Sequence, residues 1–465
     1  MPDATTAIRK EQTSRYPLDA FLRDIAGISA TTDLIDLRRK SRDFFWYSPV
    51  LDAMLKDKVA DVVVTPRDES EVVRLAAACA RHRIPLTVRG GATGNYGQCV
   101  PLAGGVVLDI TALDRIEWHR PGIVRVEAGA KMSDIDAATR PSGFELRMHP
   151  STKRSATIGG FVAGGTGGIG SVTYGGLREP GNILAARVVT IEPQPRVIEL
   201  RGDAAQKVNR AYGTTGIITV LEMPLAPAHH WIDAIVAFDD FMAAVRCGRA
   251  IAMADGIVKK LLSPISWPLP TSFSAVRSHC PPGKSLLLAM IAEPSLETFK
   301  TVLAPHGGTL TCETPSDDSP GQVPLYEHTW NHTTLQMLKS DRSVTYLQCL
   351  FPHDRLADSV EHICRHFGDE IIQHIEFIRM NGYLTASGLP VIRYRSPDRL
   401  NEIIAQHEEA GVMIANPHVY TLEEGSRYKR VDADQLGFKH EVDPMGLLNP
   451  GKMRTFVPRA GQESR

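Results

Sequence analysis

The stretch Thr157-Ile158-Gly159-Gly160-Phe161-Val162-Ala163-Gly164-Gly165-Thr166-Gly167-Gly168-Ile169-Gly170 decides the fold. Nine glycines fall in the twenty positions 157–176. That is too many for an ordinary turn, and the interleaved Ile158, Phe161, Val162 and Ile169 argue against a flexible linker. Glycine lets backbone N–H groups approach a ligand closely, and successive N–H groups form a nest for an anion. The expectation is backbone lying flat beneath a bound molecule.

A second glycine loop lies upstream, Arg89-Gly90-Gly91-Ala92-Thr93-Gly94-Asn95-Tyr96-Gly97. It is no Walker A loop, because no Gly-Lys-Ser/Thr follows. It is no Rossmann fingerprint either, because the glycines come after a second strand and lead into another strand. Two such loops fit a long dinucleotide better than a single phosphate.

Around the loops, Ala60–Val64 reads as a strand stopped by Thr65-Pro66. Asp68-Glu69-Ser70 reads as a helix start, with Val72, Val73, Leu75, Ala76, Cys79 and Ala80 on one apolar face. Ile84–Val88 completes a β-α-β unit. Gly104–Ile110 and Ile123–Val126 read as strands, and Ser133 as the cap of a helix over Asp134–Thr139. Ile183–Ile191 and Arg196–Leu200 read as paired strands, followed by a strand at Ile217–Pro224. From about residue 228 glycine thins out. Helices at 238–254, 295–303, 354–368 and 396–410 alternate with strands at 286–292, 344–350 and 371–379, the pattern of an α+β sandwich. Phe44-Phe45-Trp46-Tyr47 reads as packing at a core or domain edge.

Composition narrows the class. With 465 residues, the chain has room for two or three domains of about 150 residues. Lys+Arg 52 against Asp+Glu 53 leaves a net charge of -1, which argues against a general nucleic-acid or anionic-membrane binder. No run of about 18 apolar residues is present, so no membrane span is expected. The polar residues 1–15 read as frayed, with no export signal, and Gly461–Arg465 as a loose tail. Seven cysteines, scattered without a CxxC pair, read as reduced thiols in a cytoplasmic protein.

Eight motifs in order resemble the flavoproteins of the vanillyl-alcohol oxidase and p-cresol methylhydroxylase type, nearest the branch of glycolate oxidase flavin subunits and D-lactate dehydrogenases. They are Val64-Thr65-Pro66, Arg89–Gly94, Gly104–Asp109, Val126–Gly129, Pro150-Ser151-Thr152 before Thr157–Gly160, Tyr174-Gly175 with Asn182, Gly213–Thr219, and Asp443–Lys452. They cover about 60–225 and 411–453.

The resemblance implies an α+β fold: a two-subdomain FAD-binding domain plus an α+β cap domain with an antiparallel sheet. It implies an N-terminal FAD part at 1–228, a cap at 229–410 and a return segment at 411–465. It implies that Arg89, Gly90, Gly91, Ala92, Thr93, Gly94 and Asn95 cradle the FAD pyrophosphate, with Pro150 and Ser151 alongside. Thr157, Gly159, Gly160, Gly164 and Gly168 line the ribityl and flavin side. Ile217 and Ile218 meet the adenine or flavin edge, and Asn449 and Lys452 lie near the isoalloxazine. Some relatives attach FAD through a His in the first loop or a Cys before the second. Thr93 and Met148-His149-Pro150-Ser151 stand there instead, so the FAD is expected to be non-covalent, with a link from a cap His or Tyr left open. Cys99 reads as a buried thiol.

The expected reaction removes a hydride from the CH–OH carbon of a small alcohol or 2-hydroxy acid and delivers it to flavin N5. Alternatives are a phenolic benzylic or alkyl carbon, or a non-catalytic flavin-binding module. His418 is the candidate base. Glu424 stands where the hydroxy-acid branch often carries a His, and Arg393 is the candidate for a substrate carboxylate. Trp330 to Thr334, Arg379, Tyr383 and Tyr394 are further pocket candidates. His440 beside Lys439 reads as a solvated helix residue. The only echo of the branch's metal signature, His366-Phe367-Gly368-Asp369, reads as a helix end, so no metal is expected. The expected partners are a small-molecule substrate and an electron acceptor, oxygen or a carrier, with a homodimer as the assembly to test and no nucleic acid.

Overall fold

The computed structural model describes residues 15–165, 167–319, 321–424 and 430–458. The readings placed on 1–14, Thr166 and Gly461–Arg465 lie outside the described residues.

The β-α-β unit forms as expected. Strands Val62–Thr65, Val106–Asp109 and Leu86–Arg89 lie side by side in that order, both pairs parallel. Ser29–Thr31 closes one edge antiparallel. Between the first two strands in sequence, helix Glu69–His82 starts where Asp68 accepts the N–H of Glu71 at 2.9 Å. Its Val72, Leu75, Ala76 and Cys79 are buried. A second, antiparallel sheet runs Ile116–Arg120, Ile123–Glu127, Ile217–Pro227, Ala185–Val189, Val197–Arg201. One apolar core is shared by the two sheets and by the helix Ile158–Gly164.

That helix corrects one expectation. The densest glycine stretch does not lie flat: Ile158–Gly164 turns as a short helix, capped by Thr157 accepting the N–H of Gly160 at 3.3 Å. Ile158, Phe161 and Val162 drive it by burying into the core. Helix Met132–Thr139 starts one residue before Ser133, whose hydroxyl binds Asp134 rather than the backbone.

From Trp231 onward the cap carries an antiparallel sheet in the order Lys259–Ile265, Ser285–Ala292, Trp231–Phe238, Thr309–Pro315. Helices Phe241–Met253, Leu296–Leu303, Leu356–Phe367 and Pro397–Glu409 accompany it. Two expected strands are each split, because the chain passes between sheets midway. Val344–Tyr346 pairs Val391–Arg393, while Cys349–Leu350 pairs Tyr383–Gly388. Likewise Ile371–Ile372 joins one sheet and Ile375–Met380 the other.

The C-terminal segment returns to the first sheet, where Leu86 N donates to Leu447 O and Asn449 N to Leu86 O, both at 2.8 Å. No described helix is long and apolar enough to cross a membrane.

Candidate functional site

A cavity of about 550 Å3 lies between the glycine loops and the cap. Its floor takes Gly90 to Asn95 from the first loop, Pro150 and Ser151, and Thr157, Gly159, Gly160 and Gly164 from the second. The first loop is there because it follows strand Leu86–Arg89 at its C-terminal end, the usual ligand edge of a parallel sheet. The two loops interlock closely. A Cβ on Gly90 would collide with the Thr157 hydroxyl, and one on Gly91 with the Ser155 carbonyl. A Cβ on Gly164 would meet nothing, so the second loop's helix is open to the cavity at that point.

Most of the other expected cofactor residues sit behind this surface. Arg89 turns its guanidinium away, donating to the carbonyls of Lys40 at 3.2 Å and Arg42 at 2.6 Å. Ile218 lines the cavity, whereas Ile217 is buried on the opposite face, as strand alternation requires. Gly168 packs against the His149 carbonyl. Asn449 donates to the carbonyls of Gln98 and Tyr212, each at 2.7 Å. Lys452 donates to the Gly97 carbonyl, and burial lowers its pKa to about 8. Because the return segment pairs along the edge strand Leu86–Arg89, these two side chains brace the loop from behind rather than face the cavity.

None of the three candidate catalytic residues lines the cavity. His418 is buried between Ser48 Oγ at 2.7 Å and the Tyr346 carbonyl at 2.9 Å. Glu424 accepts from Thr421 at 2.9 Å and pairs with Arg454 at the surface. Arg393 is exposed, with Nε donating to the Asp369 carbonyl at 3.0 Å. His440 is half-buried, its ring 4.7 Å from that of Phe456, and the neighbouring Lys439 is buried against Asp443 and the Leu448 carbonyl.

The walls hold residues of two kinds. Trp330, Asn331, His332 and Arg379, read from the sequence as pocket candidates, do line the cavity. So do Phe44 and Tyr47, which correct the reading of that cluster as packing alone. Sequence reasoning missed Asp43, Arg178, Arg210 and Tyr212 on the same walls. Arg210 and Tyr212 both take left-handed backbone, φ 54° and 50°, a strain found at functional sites. No pattern in the sequence marks it. Burial pushes the Asp43 carboxyl up to about 6 and the Cys99 thiol up to about 12. Among the described residues, no group of three or more His, Cys, Asp or Glu is placed to hold a metal.

The surface fits a flavin dinucleotide. Glycine backbone is bared on the floor, and aromatic rings stand on the walls. Two buried donors lining the cavity, Asn95 Nδ2 and Trp330 Nε1, have no hydrogen-bond partner among the described residues. Buried donors are rarely left so unless a ligand completes them.

Comparison with known proteins agrees. Residues 60–200 match the family described as an FAD binding domain. A D-lactate dehydrogenase of Anaerostipes hadrus is 28% identical over 180 residues, 36% of this chain and 37% of that one. A glycolate oxidase subunit GlcD of Bacillus subtilis is 29% identical over 178 residues, again 36% and 37%. The chain thus spans little more than a third of the length of these curated relatives. Among solved structures, an alkyldihydroxyacetonephosphate synthase shares the fold over 94% of this chain and 85% of that one, with TM-score 0.70 and 16% identity.

Proposed function

We propose that the chain, whose residues 60–200 match an FAD-binding domain family, is an FAD-dependent oxidoreductase acting on the CH–OH carbon of a 2-hydroxy acid or small alcohol. The supporting observation is a single cavity lined by both glycine loops and by the cap. A cofactor on the floor and a substrate under the cap would share it.

Bound FAD supplies the hydride acceptor. The chain does the rest. Backbone N–H groups of Gly90 to Asn95 would hold the pyrophosphate, and Thr157, Gly160 and Gly164 would bare the surface for the rest of the cofactor. Trp330, Tyr47 and Phe44 exclude water. The guanidiniums of Arg178, Arg210 and Arg379 on the walls favour an acid over a neutral alcohol, since a carboxylate can accept from them. The aromatic lining also supports a second reading, oxidation of a phenolic benzylic or alkyl carbon. Thr93 stands where some relatives carry a linking His, so the first loop is expected to hold the FAD without a covalent bond.

The visible spectrum of the purified protein, before and after acid precipitation, tests the cofactor. Flavin absorbance that passes to the supernatant is expected. Colour left in the pellet overturns the non-covalent attachment, and colourless protein overturns the cofactor. Anaerobic bleaching by a panel of 2-hydroxy acids, neutral alcohols and alkylphenols tests the reaction. Bleaching by hydroxy acids is expected. A flavin that none of the panel reduces leaves a binding module.

A further inference from the structure

One histidine lines the cavity among the described residues, His332. It opens helix His332–Ser340, and its Nδ1 lies 2.9 Å from the Glu327 carbonyl oxygen. A carbonyl can only accept, so Nδ1 carries the proton and the neutral ring keeps its lone pair on Nε2.

The two residues before it touch both glycine loops. A Cβ built on Gly167 would stand 2.9 Å from Cη2 of Trp330. Asn331 Nδ2 reaches Asn95 Oδ1 at 3.5 Å, and Gln348 Nε2 holds Asn331 Oδ1 at 3.2 Å. His332 therefore enters the cavity where the cap meets the cofactor surface.

The thiols and phenols there are poorer bases, and the two carboxylates already hold backbone N–H groups. The Cys99 and Cys349 thiols are pushed up to about 12 by burial. Burial also raises Tyr47, Tyr96 and Tyr212, so these stay protonated. Glu179 accepts the Asn381 N–H at 2.6 Å. Asp43 accepts from Phe45 N at 3.0 Å, leaving one buried oxygen.

We propose that His332 is the general base of the reaction. Its Nε2 accepts the hydroxyl proton while the same carbon gives up its hydride to bound FAD. The O–H and C–H bonds break, a C=O and an N–H bond form, and two electrons leave with the hydride. The product is a ketone or aldehyde beside an imidazolium. This assignment rests on the functional reading above.

The surroundings keep the base free. Burial holds the His332 pKa below its usual value, with Lys339 acting the same way and the Glu327 carbonyl opposing. His328 is the other titratable ring facing it. The Glu327 carboxylate is engaged by Arg154 Nε at 3.3 Å. The reaction is therefore expected to speed up as pH rises through a value below the usual 6.5 of a histidine and to level off above it.

The test uses the FAD-loaded protein and the variant H332N, whose side-chain amide can keep the bond to the Glu327 carbonyl while removing Nε2. Flavin content and visible spectrum should be unchanged. The rate of anaerobic flavin bleaching should fall by about 100-fold or more, and its acidic limb should vanish. Free imidazole should restore part of the rate in H332A. An independent readout is carbethoxylation by diethylpyrocarbonate, mapped by mass spectrometry. His332 should be labelled, His418 should not, and a non-reducing carboxylate analogue should protect His332.

If H332N is bleached at the wild-type rate with its acidic limb in place, or if it loses its flavin, the assignment is overturned, and D43N becomes the next variant to examine. If the wild type is not bleached by any compound of the panel, the functional reading fails and the base falls with it. Bleaching of both proteins alike removes the base alone.

Discussion

The backbone N–H of Trp330 donates to Oε1 of Glu376 across 2.8 Å. The same oxygen meets Nε2 of His374 at 2.8 Å and the Ser263 hydroxyl at 3.2 Å. All of this lies in the cap interior, with Glu376 and His374 at 1% and 0% exposure. Trp330 sits at φ 52°, a backbone state that costs a bulky residue about 1–2 kcal/mol. The carboxylate anchors that strained wall of the cavity. E376A should cost about 3 kcal/mol, because it strands three buried partners at once. E376Q, which keeps one acceptor oxygen, should cost clearly less. Urea unfolding of both variants checks this, and an E376A midpoint equal to the wild type's would contradict it.

The glycines separate folding from cofactor binding. In G91A the new methyl collides with the Ser155 carbonyl, which is backbone and cannot rotate aside. That variant should be destabilised with or without FAD. In G164A the methyl meets no protein atom, yet it enters the cavity. Because Ala favours helix over Gly by about 1 kcal/mol, the cofactor-free protein should be as stable as the wild type or slightly more so. Its flavin affinity should nevertheless fall. Thermal melts of stripped protein and flavin titrations distinguish the two. Normal flavin affinity in G164A would place the cofactor elsewhere.

Much of the floor was legible in the sequence because it is made of local runs. Gly90 to Asn95 and Thr157 to Gly164 line the cavity as contiguous segments, and their glycine density reports backbone left open to a ligand. The strand-helix-strand unit over 62–89 was legible for the same reason, since apolar periodicity and an Asp cap are local signals. The walls were not. Arg178, Arg210 and Asp43 come from separate loops, and only tertiary packing brings them together. Asn449 and Lys452 were recognised as part of a motif, but their place behind the loop depends on the Leu86 pairing of the return segment. His418 was misplaced because a lone His in a loop looks the same in sequence whether it serves a site or bridges two parts of the core.

That bridge makes a pH prediction. The Tyr346 carbonyl can only accept, so Nε2 of His418 carries the proton and Nδ1 accepts from the Ser48 hydroxyl. Burial lowers its pKa from 6.5 to about 4. The folded pKa lies below the unfolded one, so stability is fully present above 6.5 and is lost as pH falls toward 4. The loss amounts to about 3 kcal/mol at one pKa unit per 1.4 kcal/mol. H418Q should cost about 1–2 kcal/mol at pH 7 through lost hydrogen bonds, but should flatten the decline below pH 6.5. Urea midpoints at pH 7 and pH 5 test it, and an unchanged slope in H418Q would refute the assignment.

A second titration joins the cavity to the cap. Lys153 follows the cavity-lining Ser151 and Thr152 and lies buried between Asp136 at 2.8 Å and Asp318 at 2.6 Å. Asp318 belongs to the cap and also receives the Tyr326 hydroxyl at 2.6 Å. Burial alone would raise the Asp136 pKa, but Lys153 and Lys260 overcome it and hold the carboxyl below 3.8. In the wild type this group therefore stabilises the fold at neutral pH, and the gain is lost as pH falls through that depressed value. K153M reverses the sign. Asp136 keeps its burial and loses its nearest cation, so its folded pKa rises. Its stability is then greatest in acid and is lost as pH climbs through the raised value. Removing one partner of a buried pair costs about 3–5 kcal/mol. That deficit should be present at pH 7 and should shrink steadily toward pH 4. Because the pair ties the Ser151 segment to the cap, K153M should also release flavin faster at pH 7 than at pH 5. Parallel pH profiles for wild type and K153M would show that Asp136 is not held by this lysine.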